Sequence, residues 1–382
     1  MKKICVVTAT RAEYGLLRPV LFKLNQSNRV QLQIIATGTH IEKKYGETIN
    51  EIKQDGFVPD KSVRILVDDT RKGILGTMGN AVKCVGETFE HLKPDLIVLL
   101  GDRYETLAIA SAAAVLGIPI AHLYGGEVTY GAYDEVFRHS ITKMSYFHFT
   151  ATNEYRKRVI QMGENPERVF CVGSLGVENV LNIELLSKTE LESKIDFCMD
   201  NTLLITFHPV TLELSSQKAQ FEALLEAICR NSKYNALITR SNADTNRSEL
   251  DDILNRYSKN NNTIKIVDSL GVVNYLSAMK YSAGVVGNSS SGIVEAPSMK
   301  VGTIDIGNRQ KGRIRAKSII HCNPTKKDII AALDILNSEE FTNNLASVIN
   351  PYEGKETSTN IVTKLEELVY SDIKPKEFFD LY

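Results

Sequence analysis

Short apolar runs rich in β-branched residues alternate along this chain with longer stretches that repeat apolar residues every three or four positions. The runs at 4–8, 30–36, 96–100, 118–123, 147–151 and 169–172 read as strands of the first half. Those at 203–207, 236–239, 264–267, 283–286 and 303–306 read as strands of the second. Between them, 16–24, 80–91, 221–229 and 272–280 carry the period of an amphipathic helix. This alternation is the pattern of βα units on parallel sheets, so the chain reads as two doubly wound α/β domains in tandem. The polar segment 181–201 separates them, with Ser187-Lys188-Thr189-Glu190 as a capping-box signature and Asp200-Asn201 as a turn before the next strand. The expected division is 1–185, 186–365 and a last segment, 366–382, that packs back on the first domain.

Composition narrows the function classes. The chain has 382 residues, more than one core usually organises. Lys+Arg total 45 against Asp+Glu 46, a formal charge of −1, so no overall positive field draws it to nucleic acid or to an anionic membrane. The longest nearly unbroken apolar run, 109–121, is too short to span a bilayer and contains Gly117 and Pro119, which suits a helix end followed by a strand. Arg11 and Glu13 interrupt the apolar start before a signal-peptide core can form, and a cytoplasmic protein is expected. The six cysteines are scattered without a CxxC pair, which favours reduced structural thiols over disulfides or zinc.

Five clusters with candidate chemistry each follow a predicted strand, where open α/β sheets place their ligands. The first, Thr8-Ala9-Thr10-Arg11-Ala12-Glu13-Tyr14-Gly15, lacks the GxGxxG fingerprint; it suits either a phosphate or a plainly capped helix with a surface Arg. The second, Gly101-Asp102-Arg103, sets a carboxylate and a cation at a strand end, where an Asp also commonly caps a helix. The third joins His122-Leu123-Tyr124-Gly125-Gly126-Glu127 to Tyr133-Asp134-Glu135 and Arg138-His139. Asp134 and Arg138 are spaced for a surface ion pair; with Asp102 and Glu127 they also suit a carboxylate cluster for acid/base work. The fourth is His208, ending the first strand of the second domain, structural or catalytic. The fifth, Gly287-Asn288-Ser289-Ser290-Ser291-Gly292-Ile293-Val294-Glu295, opens a helix with small residues and hydroxyls that offer donors to a diphosphate. It has no P-loop Lys, Glu295 can accept from ribose hydroxyls, and Gly307-Asn308-Arg309 can close over a nucleotide.

Through Thr10–Gly15, Leu100–Arg103, Arg138–Ser145, Gly287–Glu295 and the run Ile306-Gly307-Asn308-Arg309-Gln310-Lys311-Gly312-Arg313, the chain resembles the hydrolysing UDP-N-acetylglucosamine 2-epimerases of bacterial sialic-acid pathways over essentially its whole length. The resemblance implies the GT-B type, two Rossmann-like domains facing across a cleft, with UDP on the second. It implies phosphate contacts from Ser289 and Ser290, a ribose contact from Glu295, and a uracil side formed by Arg309 and the backbone near Leu270. Asn242 falls at a UDP-contacting position, Arg11 would reach in from the first domain, and His208 would sit near the diphosphate. Arg103, Arg138 and Arg313 join these as cations that offset the diphosphate and its neighbouring carboxylates. The implied reaction turns UDP-GlcNAc and water into ManNAc and UDP, by anti elimination to 2-acetamidoglucal and then syn hydration. Asp102 and Asp134 match acid/base positions. One departure stands out: many relatives carry a catalytic Glu two residues after the strand-end His, where this chain has Tyr124, and Glu127 is the nearest carboxylate.

The alternatives are a hydrolysing 2-epimerase of UDP-N,N′-diacetylbacillosamine on a legionaminic-acid route, a non-hydrolysing epimerase, a GT-B glycosyltransferase, and a nucleotide-sugar sensor. No cofactor and no metal are expected, since ligand-spaced His, Cys and Asp sets are missing from the sequence. The expected partner is a UDP-sugar, and a homodimer or homotetramer follows from the resemblance.

Overall fold

The computed structural model describes residues 1–130, 133–208, 217–230, 233–240, 247–259, 261–268, 270–370 and 372–381, with only the backbone over 247–251. By its contacts the chain divides into two units. Unit one comprises Met1–Glu127, Asp134–Asn179 and Gly354–Tyr382; unit two comprises Val128–Tyr133 and Val180–Glu353.

Unit one is built on β1 (Lys2–Thr8), β2 (Val30–Thr37), β3 (Lys61–Val63), β4 (Leu96–Leu100), β5 (Ile120–Leu123), β6 (Phe147–Thr150) and β7 (Val169–Cys171). They form one parallel sheet in the order β3-β2-β1-β4-β5-β6-β7. The central strands read as continuous apolar runs because both faces are covered. Ile4 and Val6 meet Leu17, Leu21 and Leu24 on one face, while Cys5 and Val7 meet Val85 and Phe89 on the other.

Unit two carries β8 (Thr202–Thr206), β9 (Asn235–Thr239), β10 (Ile264–Val267), β11 (Gly284–Gly287), β12 (Thr303–Ile306) and β13 (Ile319–Cys322), parallel in the order β10-β9-β8-β11-β12-β13. Each sheet therefore has a topological switch point, between β1 and β4 in unit one and between β8 and β11 in unit two. Four of the five sequence clusters lie on strands that flank these points. Both sheets are of the Rossmann-like, doubly wound kind expected.

Two strands escaped the sequence reading, β3 and β13. Both sit at sheet edges and are only partly buried, so neither requires the unbroken apolar run that marks a central strand. The capping box at Ser187 is present: its side chain accepts from the Glu190 N–H, and Glu190 accepts from the Ser187 N–H. The contact division falls at Asn179/Val180, within the helix Leu175–Asn182.

The segment returning to unit one begins at Gly354, earlier than residue 366. Glu178, buried, accepts from the backbone and hydroxyl of Ser358 at 2.8 and 2.9 Å and so caps the helix Thr357–Leu368. Ile361, Val362 and Leu365 of that helix enter the same core as Leu17 and Leu21. A Cβ on Gly173 would lie 2.5 Å from Gly354 Cα, so only glycine allows this backbone approach. Among the described residues no helix is long and apolar enough to cross a membrane.

Candidate active site

In unit one the acid/base candidates gather at the C-terminal ends of β4 and β5. Asp102 lies in the turn between β4 and the helix Tyr104–Val115. Arg138, on the helix Asp134–Met144, is 1% exposed. Its Nη2 donates to Asp102 Oδ2, and its Nη1 donates to the Glu127 carbonyl at 3.0 Å and to Glu135 Oε2 at 2.7 Å. Burying a guanidinium is costly unless its donors are satisfied, and carboxylates on both sides with a carbonyl between them do so here. The structure thus brings together Asp102, Arg138 and the Glu127 backbone. The Glu127 side chain is buried at the same loop, and Asp134 opens the helix one turn before Arg138. Glu135 was missed as a partner; its three-residue spacing to Arg138 was the available signal.

His122 supports this arrangement from β5. It is fully buried, with Nε2 2.8 Å from the Gly101 carbonyl and Nδ1 3.2 Å from Thr142 Oγ1. A carbonyl only accepts, so Nε2 carries the proton. Burial pulls the imidazole down to about 3, which leaves it neutral and holding the residue before Asp102.

At the β1 side of the switch point, Thr10 caps the helix Arg11–Gln26 by accepting from the Glu13 N–H. Glu13 Oε2 accepts from Ala9 N at 2.8 Å, while Oε1 is buried with no hydrogen-bond partner among the described residues. Burial pushes this carboxyl up to about 7, against the pull of Arg103 nearby and of the Ala9 N–H. Glu13 was not a candidate from sequence, although it stands inside the first cluster. Arg11 pairs with Glu51 at 2.8 Å, and Arg103, the residue before the helix Tyr104–Val115, pairs with buried Glu105 at 3.1 Å.

In unit two the organiser is Asn288, fully buried just after β11. Its side chain accepts from the His208 N–H at 2.7 Å and donates to the His208 carbonyl at 2.8 Å. Its own carbonyl accepts from Arg309 Nη1 at 3.0 Å and Gln310 Nε2 at 2.9 Å. One residue, through its side-chain amide and its backbone carbonyl, therefore ties the segment after β8 to the 307–310 turn. Asn288 and Gln310 were quoted within motifs but not singled out; a polar side chain that pairs only across strands leaves no periodic mark.

Gly287 makes this possible: at φ +137°, a Cβ there would lie 2.0 Å from the Thr206 carbonyl oxygen. Ser289 caps the short helix Ser290–Val294 by accepting from the Ser291 N–H, and Tyr275 meets Ser291 Oγ at 2.7 Å. Glu295 ends this helix, and burial pushes its carboxyl up to about 7. Leu270, buried, precedes the helix Gly271–Tyr281, and the Arg313 N–H donates to the Gln310 carbonyl at 3.2 Å. Asn242 lies outside the described residues.

Among the described residues, Glu192, Cys198 and Asp200 bring possible metal-ligating atoms close together, half-exposed or exposed in unit two. Lys188 already pairs with Asp200 and lies 3.8 Å from Glu192.

Comparison with known proteins agrees with this picture. A family model described as UDP-N-acetylglucosamine 2-epimerase matches residues 22–366. The chain is 41% identical to the polysialic acid biosynthesis protein P7 of Escherichia coli, covering 100% of this chain and 98% of that protein. It is 40% identical to the GDP/UDP-N,N′-diacetylbacillosamine 2-epimerase (hydrolyzing) of Campylobacter jejuni, covering 100% and 99%. Among solved structures, the S. aureus MnaA–UDP co-structure superposes with a TM-score of 0.83 at 18% identity, covering 99% of this chain and 100% of that one, a likeness of fold.

Proposed function

Because the chain belongs to the UDP-N-acetylglucosamine 2-epimerase family, with its GT-B-like fold, we propose that it is a hydrolysing enzyme converting UDP-GlcNAc and water to ManNAc and UDP, at the entry to sialic-acid synthesis. The observation that carries the reading furthest is the buried Arg138, whose guanidinium gathers Asp102 and the Glu127 backbone.

A carboxylate paired with a buried guanidinium is a weak base, while the C2 proton of the sugar is a weak acid. Departure of the diphosphate must therefore lead. The C1–O bond breaks with its electron pair leaving on UDP, Asp102 takes the C2 proton, and 2-acetamidoglucal remains. Water then adds its oxygen to C1 and gives one proton to the Glu127 carboxylate, while the Asp134 carboxyl delivers a proton to C2 on the face opposite its removal; of the protons then on Asp102 and Glu127, one passes to solvent and one restores Asp134. Asp134 and Glu127 are the carboxylates assigned to that second half. Ser289 and Ser290 would hold phosphate, Glu295 the ribose, and Arg309 with the Leu270 backbone the uracil. His208, Arg11 and Arg313 would attend the diphosphate, and Arg103 would act through its neighbours. The setting proposed is a cytoplasmic homodimer or homotetramer that needs no cofactor.

Proton NMR of UDP-GlcNAc with the enzyme in D2O tests this. Deuterium at C2 of free ManNAc with equimolar UDP is expected; UDP-ManNAc as the product would identify a non-hydrolysing epimerase. Replacing Asp102 by Asn should abolish UDP release, and wild-type turnover would remove Asp102 from the mechanism.

A second substrate, UDP-N,N′-diacetylbacillosamine, is supported by the 40% identical Campylobacter jejuni relative. A kcat/KM for that sugar at least about a hundredfold above that for UDP-GlcNAc would decide in its favour, a ratio within what pocket contacts supply.

A further inference from the structure

The loop that bears Glu127 is held by features that the proposed reaction does not by itself require. Tyr124, the first residue after β5, has φ +71°, a left-handed conformation that is uncommon outside glycine and strained for a bulky side chain. Such a residue persists when its surroundings over-determine it. Here its N–H donates to the Phe149 carbonyl at 2.9 Å, extending the ladder toward β6. Its ring packs on the apolar core of unit one. Its hydroxyl accepts from the Gly176 N–H at 3.3 Å and lies 3.2 Å from Ser174 Oγ, at the start of the helix Leu175–Asn182.

Two residues on, the chain turns left-handed again at Gly126, φ +78°, where a Cβ would lie 2.5 Å from the Tyr155 carbonyl oxygen. Arg158, on the same helix as Tyr155, donates from Nη1 to the Gly126 carbonyl. Arg138 donates to the next carbonyl, that of Glu127. The backbone on either side of the Glu127 Cα is therefore gripped by a different guanidinium, and the turn leading into it is pinned through the Tyr124 phenol.

We infer that Tyr124 and Arg158 are positioning residues for Glu127, which fix where its carboxylate stands by locking a doubly left-handed turn from two neighbouring helices. This rests on the reading above in which Glu127 serves the reaction. A misplacement of about 1 Å can cost on the order of a hundredfold in rate. Loss of the phenol's anchor should therefore appear in kcat, while the UDP-binding residues of unit two are untouched.

The test is a double-mutant cycle with UDP-GlcNAc as substrate and UDP as the binding probe. Tyr124→Phe keeps the ring and removes the hydroxyl; it should lower kcat by about tenfold or more and leave KM and the UDP Kd within about twofold. Arg158→Ala should do the same, with partial recovery in Arg158→Lys, and it supplies the answer if Tyr124→Phe fails to fold. In a Glu127→Gln background both substitutions should have little further effect, because they act through the same group.

Unchanged kcat in Tyr124→Phe and Arg158→Ala, or the same fold-loss with and without Glu127, overturns the inference. Full activity of Glu127→Gln alone would instead overturn the reading on which it rests.

Discussion

Arg138 Nη2 donates to Asp102 Oδ2 across 36 positions of sequence, with the arginine 1% exposed and the carboxylate in the turn that ends β4. The same guanidinium reaches the Glu127 carbonyl and Glu135, so it serves as structural cation and as frame for the proposed acid/base groups at once. Removing one partner of a buried, hydrogen-bonded ion pair leaves the other charge stranded, a far larger effect than losing a surface pair.

Arg138→Met should therefore destabilise the protein by about 3–5 kcal/mol, read as a lower urea midpoint, and should remove turnover even where the folded fraction remains high. A midpoint within experimental error of wild type would mean that Asp102 and Glu135 find other donors.

Glu295 yields a pH dependence. Burial raises its carboxyl to about 7 in the folded chain, above its ordinary 4.5. The folded state then holds the proton more tightly than the unfolded state, so this group's contribution to stability declines as pH rises from about 4.5 to 7. Ribose hydroxyls donating to it would favour the ionised form. Affinity for UDP-GlcNAc, measured by calorimetry in the Asp102→Asn variant expected not to turn over, should therefore weaken as pH falls below 7, by up to about tenfold per unit, and Glu295→Gln should flatten the curve.

Glu164 behaves in the opposite sense. It is 2% exposed and meets His148 Nε2 at 2.9 Å, Lys143 Nζ at 2.6 Å and, from the C-terminal segment, Lys376 Nζ at 2.8 Å. Burial opposes its charge, but these partners hold the carboxyl down to about 2. Its contribution is complete above about pH 4.5 and is lost as pH falls through 2. Glu164→Gln should cost on the order of 3 kcal/mol at neutral pH, and the difference from wild type in urea melts should shrink on acidification below pH 4.5.

Gly287→Ala isolates the unit-two loop. The added Cβ would meet the Thr206 carbonyl oxygen at 2.0 Å, at a φ of +137°. The chain must shift, and Asn288 with it. UDP binding should weaken at least about tenfold and the melting temperature should fall, as expected for strain above about 1–3 kcal/mol. Wild-type UDP affinity would show that the Asn288 bonds survive the displacement.

Much of this was readable from order along the chain, and the comparisons establish the family that the motifs suggested. Alternating strand and helix periods specified two parallel α/β units, because each period follows from local backbone geometry and from which face must be apolar. The positions of the motifs after strands placed Asp102, His208 and Ser289 at strand ends for the same reason.

Sequence could not choose the partner of Arg138. Spacing offered both Asp134 and Glu135 but could not point to Asp102, which shares the guanidinium with Glu135 because the register of β4 against β5 brings the Asp102 turn beside that helix. Nor could it show that Asn288 joins His208 to Arg309, or that Tyr124 turns left-handed at the start of the loop that carries Glu127. Those arrangements depend on burial and hydrogen-bond satisfaction among residues distant in the chain, and such constraints exist only once the sheets have formed.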